Sequence, residues 1–279
     1  MYNRPQEIDE LLDSLLYQNF TKDFEVLVVE DGSTNTAKTI IKKYENDLNI
    51  KYFFKENTGA GDSRNFGMKH ASGNFFIILD SDVILPEHYL SAVYNTLNKK
   101  YTNAFGGPDA AHKSFTALQK AINYSMTSLL TTGGIRGKKT RIGKYQLRSY
   151  NLGMSKEAFE STQGFSRMKT GEDIDLTFRL WEKGFNSQLI EEAYVYHKRR
   201  TSIKQFFRQT YAFGKARPML NKKYPQSKKL IFWFPSLFII GFDLSLLLLL
   251  FGFVELFSVY YLYFIAVFIH SSFENSFKV

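Results

Sequence analysis

Three short apolar runs, at 24–29, 50–54 and 75–79, alternate with segments of helical periodicity in the first part of the chain. Continuous apolar runs are typical of strands buried on both faces, and their alternation with helices predicts an α/β fold with a mostly parallel sheet covered by helices on both sides. Ligands of such sheets bind beyond the carboxyl ends of the strands. Two of the runs end there in acids, Glu30-Asp31 and Asp80-Ser81-Asp82, which is the first indication of a functional site.

The composition excludes some chemistry and localises the charge. The chain has 279 residues and no cysteine, so disulfides, thiolate metal sites and cysteine nucleophiles are excluded. Its net charge is +9, and the segment from Tyr196 to Lys229 contains eleven basic residues and no acid. Proteins that bind nucleic acid usually spread such residues over a whole domain. Here the basic segment directly precedes apolar sequence, so we expect no nucleic-acid partner.

Two apolar runs, 230–254 and 256–269, follow the basic segment. The first contains only Pro235 and Asp243 as interruptions, and at about 1.5 Å per helical residue it can cross a hydrocarbon core of about 30 Å. It has no polar face between 244 and 253, as a helix packed on a soluble domain would have. The pattern predicts membrane association with one or two crossings. A buried helical hairpin is the alternative, and Asp243 favours it.

The basic segment also predicts how the chain meets the membrane. Ile203, Phe206, Phe207 and Tyr211 recur at helical spacing among lysines and arginines, which is typical of an interfacial helix on anionic lipid. Basic residues before the first span are expected on the cytoplasmic side. We therefore expect an inner-membrane protein whose body faces the cytoplasm.

Polar motifs follow one another through the body of the chain. Two carboxylates in Asp80-Ser81-Asp82 suit a hard cation such as Mn²⁺ or Mg²⁺, although an ordinary turn explains this pair equally well. Glu172 and Asp173 alone would also be typical helix N-terminal acids. The motifs in order are Val29-Glu30-Asp31-Gly32-Ser33, Asn57-Thr58-Gly59, Arg64-Asn65-Phe66-Gly67, Asp80-Ser81-Asp82, Asn151-Leu152-Gly153-Met154, Gly164-Phe165 and Gly171-Glu172-Asp173.

Together these motifs resemble those of inverting family-2 glycosyltransferases of the membrane-associated bacterial type, over roughly residues 2–220. The resemblance implies the GT-A nucleotide-sugar-binding fold, with 151–154 in an acceptor-side loop. The expected organisation is a GT-A domain at 1–220, a basic interfacial segment at 196–229 and hydrophobic membrane helices at 230–279.

The resemblance also implies roles for individual residues. The donor nucleotide is expected to contact Tyr2, Asp31, Arg64 and Asp80. A Mn²⁺ or Mg²⁺ ion is expected on Asp82 and His197. The catalytic residues are expected to be Asp173, as general base, and Glu172 beside it.

The implied reaction moves one sugar from a nucleotide-diphosphate sugar, with UDP favoured over GDP, to a lipid-linked or cell-envelope glycan. Processive relatives carry a Q-x-x-R-W motif, and no R-W occurs here, which favours a single transfer. Two alternatives stay open. A nucleotidyltransferase would need a glycine-rich and basic phosphate loop after the first strand, and none is present. A catalytically inactive, membrane-bound sugar-nucleotide-binding protein would keep the same motifs.

Two expectations concern connecting segments. Residues 131–144 are rich in glycine and lysine and predict a loop. At the other end, members of the family open with an apolar strand before a Tyr-Asn turn, whereas Tyr2-Asn3-Arg4-Pro5 follow Met1 directly. We therefore expect that the first strand is missing between the strands ending at Val29 and Leu79, and that the reading frame begins about five to ten residues upstream.

Overall fold

The computed structural model describes residues 1–133 and 145–276, so residues 134–144 of the expected loop lie outside the described residues. The helices are α1 (Pro5–Leu16), α2 (Lys38–Ile41), α3 (Ala60–His70), α4 (Tyr89–Lys99), α5 (Ala117–Thr127), α6 (Leu129–Thr132), α7 (Lys156–Thr162), α8 (Glu172–Glu182), α9 (Ile203–Lys223), α10 (Phe234–Leu250) and α11 (Glu255–Ser276). The strands are β1 (Val26–Asp31), β2 (Ile50–Lys55), β3 (Phe75–Leu79), β4 (Val83–Ile84), β5 (Ala104–Gly106), β6 (Asp109–Ala110), β7 (Asn151–Ser155), β8 (Ser187–Leu189) and β9 (Val195–His197).

The strands form three sheets, β1-β2, β3-β7-β5-β8 and β4-β9-β6. The α/β class is confirmed, but the pairing is mixed, because β7 runs antiparallel to both of its neighbours, β3 and β5. Residues 151–154, expected in an acceptor-side loop, instead belong to this buried strand. Gly153 permits the close packing, since a Cβ there would lie 2.2 Å from the Phe105 ring.

Among the described strands, no ladder joins β1 to β3. Met1 takes a strand position beside β1: its ammonium donates to the Val29 carbonyl at 2.6 Å, and its carbonyl accepts from the Asp31 amide at 2.8 Å. The side of β1 that Met1 contacts is where the sequence places a further strand. That upstream strand stays a prediction.

The core lies on both sides of the sheets and holds the helices in place. Helix α1 begins at Pro5, a residue suited to the first helical position, and buries its apolar face of Ile8, Leu11, Leu12 and Leu15. A second cluster packs β3 and β7 against α7 and α8. These contacts fix the strand ends and the start of α8, which carry the acidic motifs.

Helices α10 and α11 form an apolar hairpin beside this body. Tyr260 donates to the Phe238 carbonyl at 3.0 Å, and a Cβ at Gly241 would lie 2.3 Å from the Tyr260 hydroxyl. The segments Leu230–Leu250 and Glu255–Glu274 are long and apolar enough to span a membrane, and only 6% and 0% of their most apolar parts are buried. The structure therefore does not bury this hairpin inside a soluble domain. Its contact with the body includes Tyr124 and His270, 2.8 Å apart.

Candidate active site

The carboxylate of Asp31 organises the loop that follows β2. Its two oxygens accept hydrogen bonds from the amides of Thr58 and Gly59, both at 2.9 Å, and from Lys55 Nζ at 2.5 Å. Burial alone would raise the pKa of Asp31, but these hydrogen bonds hold it below its usual range. The preceding residue, Glu30, points into the core and accepts from Tyr52 at 2.5 Å. Of this pair, Asp31 therefore faces the loop after β2, whereas Glu30 is enclosed in the core.

Tyr2 directly follows Met1, whose backbone hydrogen-bonds to Val29 and Asp31 at the end of β1. Its side chain is half exposed, and the amide of the following Asn3 donates to Ser33 Oγ at 2.8 Å. The side chain of Asn3 accepts from the amides of Thr34 and Asn35, each at 2.9 Å. The turn that carries Tyr2 is therefore tied to the loop after Asp31, where the sequence places the nucleotide.

Arg64 of α3 links the acids of β3 and α8. Its guanidinium donates to Asp80 Oδ1 at 2.6 Å and to Glu172 Oε1 at 3.1 Å, and it lies 5.1 Å above the Phe165 ring. Burial raises the pKa of Glu172, the charge of Asp173 raises it further, and Arg64 opposes both effects. The structure thus brings together two predicted donor residues and one predicted catalytic residue.

The pairing of β4 with β9 brings Asp82 to His197, because Val83 and His197 are partners in the ladder. Asp82 Oδ1 lies 3.4 Å from His197 Nε2, and Arg4 donates to Oδ2 at 2.7 Å. Burial would raise the pKa of Asp82, but His197 and Arg4 hold it far below its usual range. Burial alone would lower the pKa of His197, but hydrogen bonding to Asp109 and Asp82 outweighs burial, and the pKa is raised above its usual value.

This pair offers two ligands for a divalent cation. Asp82 Oδ1 is buried without a hydrogen bond of good geometry and faces the imidazole. Residues 1–133 and 145–276 contain no group of three or more His, Cys, Asp or Glu side chains arranged around one point. Two protein ligands nevertheless fit a Mg²⁺- or Mn²⁺-type site, since such ions are commonly held by one or two carboxylates together with substrate phosphates.

Asp173 lies in the first turn of α8, after Gly171, whose φ of 82° suits glycine. Asp173 Oδ2 accepts from the Ser149 amide at 3.4 Å, and Oδ1 accepts from the Ile174 amide at 2.8 Å. Within the described ranges Asp173 has no ion-pair partner, whereas its neighbour Glu172 is paired with Arg64. Of the two adjacent acids, Asp173 is therefore the one that no arginine or lysine holds in the described ranges.

Sequence reasoning missed Arg4, Lys55, Tyr150 and Asp109. Tyr150 stacks on His197 with ring centroids 4.7 Å apart, and Asp109 lies 3.8 Å from His197 Nδ1 while binding Arg199. Lys55 was detectable as a basic residue ending a strand beside an acidic strand end. The contacts of Arg4, Tyr150 and Asp109 depend on tertiary packing, and no local pattern marks them.

Strands alternate with helices, and acids lie at the ends of two strands. Comparison with known proteins identifies the class of this α/β protein. The chain matches the model of glycosyl transferase family 2 over residues 1–162. It therefore belongs to that family. The expected fold class is confirmed as GT-A-like, because solved family structures superimpose on most of this chain.

The sequence relatives align with part of this chain. Poly(ribitol-phosphate) β-N-acetylglucosaminyltransferase TarS of Staphylococcus aureus is 34% identical over 145 residues, covering 45% of this chain and 25% of TarS. An uncharacterized glycosyltransferase of Rickettsia bellii is 29% identical over 186 residues, 65% of this chain and 26% of that protein. The chain thus spans about a quarter of the length of these relatives.

Two solved structures are similar. TarS residues 1–349 in complex with UDP-GlcNAc give a TM-score of 0.56 at 26% identity, over 72% of this chain and 57% of that one. A mannosyltransferase of Pyrobaculum calidifontis in complex with GDP-Man and Mn²⁺ gives a TM-score of 0.59 over 100% of this chain and 85% of that one. At 16% identity, the second shows the shared fold alone.

Proposed function

We propose that this protein transfers a single sugar, with inversion and with the help of Mn²⁺ or Mg²⁺, from a nucleotide-diphosphate sugar to a lipid-linked or cell-envelope glycan. The observation that carries the proposal is the bridge by Arg64, 2.6 Å from Asp80 and 3.1 Å from Glu172. One guanidinium thereby couples the strand end assigned to the donor with the helix that carries the candidate base. Family membership supports glycosyl transfer over the nucleotidyltransferase alternative.

The donor side of the cleft consists of Tyr2, Asp31, Arg64 and Asp80. Asp31 carries a carboxylate whose pKa lies below its usual range, and an ionised carboxylate can accept from the base of a nucleotide. Asp80 is assigned to the ribose. The complex of the related TarS with UDP-GlcNAc supports a UDP-sugar as donor.

Asp82 and His197 are the residues that would hold the cation. When bound, the cation supplies positive charge that offsets the charge developing on the leaving diphosphate. Asp82 is kept ionised by its two basic neighbours, and Tyr150 fixes the plane of the His197 ring by stacking. The protein's own contribution is therefore to hold an anionic oxygen and an imidazole nitrogen side by side.

Asp173 is assigned as the general base. It takes the proton of an acceptor hydroxyl as that oxygen bonds to the anomeric carbon and the bond from this carbon to the diphosphate breaks. A single displacement inverts the anomeric centre and needs one such carboxylate. Because Glu172 is paired with Arg64, we assign Glu172 the role of positioning Arg64 beside Asp173.

A screen of nucleotide sugars tests the donor assignment. We expect one donor, a UDP-sugar, to raise the melting temperature of the full chain in detergent when Mn²⁺ is present, because a ligand of the native state stabilises it. Mn²⁺ alone and UDP alone serve as controls. Stabilisation by no nucleotide sugar contradicts the proposal, and binding without turnover identifies the inactive sugar-nucleotide-binding alternative.

We further propose that α10 and α11 insert into the inner membrane and that the body faces the cytoplasm. The basic interfacial segment, 196–229, supports this arrangement through α9. Ile203, Phe207 and Tyr211 lie four residues apart on one face of α9 and are 71%, 66% and 60% exposed. Such an apolar stripe flanked by basic side chains suits anionic lipid. The domain assignment is then 1–220, with its interfacial segment, and 230–279.

The absence of cysteine makes this arrangement directly testable. We expect a cysteine introduced at Leu247, on the exposed surface of α10, to resist an impermeant maleimide in membrane vesicles because lipid covers it. A cysteine at Tyr17, 65% exposed on the body, should react in inverted vesicles and not in right-side-out vesicles. Rapid labelling at position 247 in intact vesicles contradicts insertion, and the reverse pattern at position 17 contradicts the orientation.

A further inference from the structure

The guanidinium of Arg64 lies over the ring of Phe165, with its central carbon 5.1 Å from the ring centroid. Two carboxylates, Asp80 and Glu172, bind the edge of the same guanidinium, so the acids hold its N–H groups and the ring covers one of its faces. Both partners are largely shielded from water, because the Arg64 side chain is 13% exposed and Phe165 is 5% exposed. A cation over an aromatic face is attracted by the ring, and the attraction is stronger where water is excluded.

The backbone of Phe165 is fastened to the residue that follows Arg64 in α3. Asn65 Nδ2 donates to the Phe165 carbonyl, and the Phe165 amide donates to Asn65 Oδ1, both at 2.8 Å. Gly164 allows this approach, since a Cβ there would lie 2.2 Å from Asn65 Oδ1. Adjacent residues of one helix therefore bind the backbone and the ring of Phe165, which fixes the distance between the ring and the guanidinium.

A buried brace holds the same segment from the side of α8. Arg179 donates to the carbonyls of Thr162 and Gly164, both at 2.6 Å. Its Nε donates to Asp175 Oδ2 at 2.9 Å, and the side chain of Asp175 is fully buried. Tyr224, which follows α9, donates to the other oxygen of Asp175 at 2.8 Å. Helices α8 and α9 thereby keep segment 162–165 against α3.

We propose that Phe165 is a positioning residue that acts on the donor through Arg64. The proposal rests on the proposed function, in which Arg64 contacts the donor nucleotide. A guanidinium carries five N–H groups in one plane, and two hydrogen bonds leave that plane free to tilt about the line that joins them. The ring of Phe165 removes this freedom by packing against the flat face. The N–H groups beyond those bound to Asp80 and Glu172 then point in a fixed direction, so the oxygens of a nucleotide meet them at a lower ordering cost.

The test is calorimetric titration of UDP, with Mn²⁺ present, into the full chain in non-ionic detergent. We expect Phe165→Leu, which keeps an apolar side chain and removes the ring, to weaken UDP binding at least about fivefold, because a desolvated contact between a cation and a ring contributes at least that factor. Phe105→Leu is the matched control, since Phe105 is fully buried and its ring stacks on Phe75 instead of on a cation. This control should change UDP affinity less than about twofold, because its contacts lie elsewhere in the core. Equal losses in both variants, or no loss in Phe165→Leu, overturn the proposal.

A series of fluorinated side chains at position 165 separates the charge distribution of the ring from its packing. Phenylalanines with increasing numbers of fluorine atoms are inserted there, because fluorine draws electron density away from the face of the ring while changing its size little. We expect UDP affinity to fall stepwise along the series, since the attraction of a cation depends on the negative face of the ring. Unchanged affinity along the series overturns the proposal, and this measurement also decides it should Phe165→Leu fail to fold.

The nuclear magnetic resonance signal of the Arg64 Nε–H group reports the contact without any ligand. It is identified as the signal that Arg64→Lys removes, and the ring beneath it is expected to shift its proton upfield. We expect Phe165→Leu to abolish this shift and Phe105→Leu to preserve it. A signal that Phe165→Leu leaves in place overturns the proposal. If the shift is lost as expected but UDP does not bind the unaltered chain, the donor assignment of the proposed function fails and the positioning of Arg64 by Phe165 stands.

Discussion

Replacing Asp173 by asparagine is expected to lower sugar transfer by about 10²–10⁴-fold while leaving donor affinity nearly unchanged. The amide keeps the size of the carboxylate and can still accept from the Ser149 amide, so the turn before α8 retains its shape. It cannot take a proton from the acceptor hydroxyl. Donor affinity is preserved because Arg64, which is assigned to the donor, is paired with the neighbouring acid Glu172 and not with Asp173.

The measurement is single-turnover transfer compared with donor binding by calorimetry. Asp47→Asn, an exposed acid outside the sequence motifs, is the matched control and should retain full activity. Glu172→Gln offers a contrast, because it removes the negative charge that pairs with Arg64 and should weaken donor binding as well. Wild-type turnover in Asp173→Asn would show that another group takes the proton.

Local sequence predicted the elements whose burial is decided within a few residues. The apolar run at 75–79 becomes β3 without change of bounds, and Ile8, Leu11 and Leu15, which recur at helical spacing, form the buried face of α1. In these elements the period of apolar residues, 2 or 3.6, determines which face is buried. Asp31 ends β1 and Asp80 follows β3, so the placement of these two acids at strand ends was also predictable, and their role in donor binding stays a prediction.

Elements whose pairing is non-local were harder to predict. The segment 151–154 contains a glycine and an asparagine and resembles a loop, but antiparallel pairing with β3 and β5 makes it a fully buried strand. The segment 187–197 likewise forms two short strands, β8 and β9, with the Ala193 amide donating to the Ile190 carbonyl in the turn between them. Strand partners from distant sequence supply the hydrogen bonds, and no local pattern reports them.

The same limit applies to the site. Asp82 and His197 are separated by more than a hundred residues, and their approach depends on the two-residue ladder between β4 and β9. Their neighbours Arg4 and Asp109 come from two further elements. Motif order suggested the pair, but the ion pair between Arg4 and Asp82 could be read only from the folded chain.

That ion pair shapes the expectation for Asp82. We expect Asp82→Asn to abolish the metal-dependent part of donor binding, a larger effect than the roughly 10–100-fold losses typical of residues that only support a metal ligand. The amide removes the negative charge of Asp82, and it leaves the Arg4 guanidinium beside the site assigned to the cation. This positive charge then repels a divalent ion in addition to the lost coordination.

Titration of Mn²⁺ into the chain, observed by the loss of its free electron-spin resonance signal, reports this site without turnover. Asp23→Asn, an exposed acid, is the matched control and should bind Mn²⁺ as the unaltered chain does. Arg4→Gln adds a second, opposite reading: removing the guanidinium that competes for Oδ2 should tighten Mn²⁺ binding, since the carboxylate no longer exchanges one cation for another. Unchanged Mn²⁺ affinity in Asp82→Asn would move the cation away from β4. Weaker Mn²⁺ binding in Arg4→Gln would instead assign Arg4 to orienting Asp82 as a ligand, because a competitor and an orienting residue change the affinity in opposite directions.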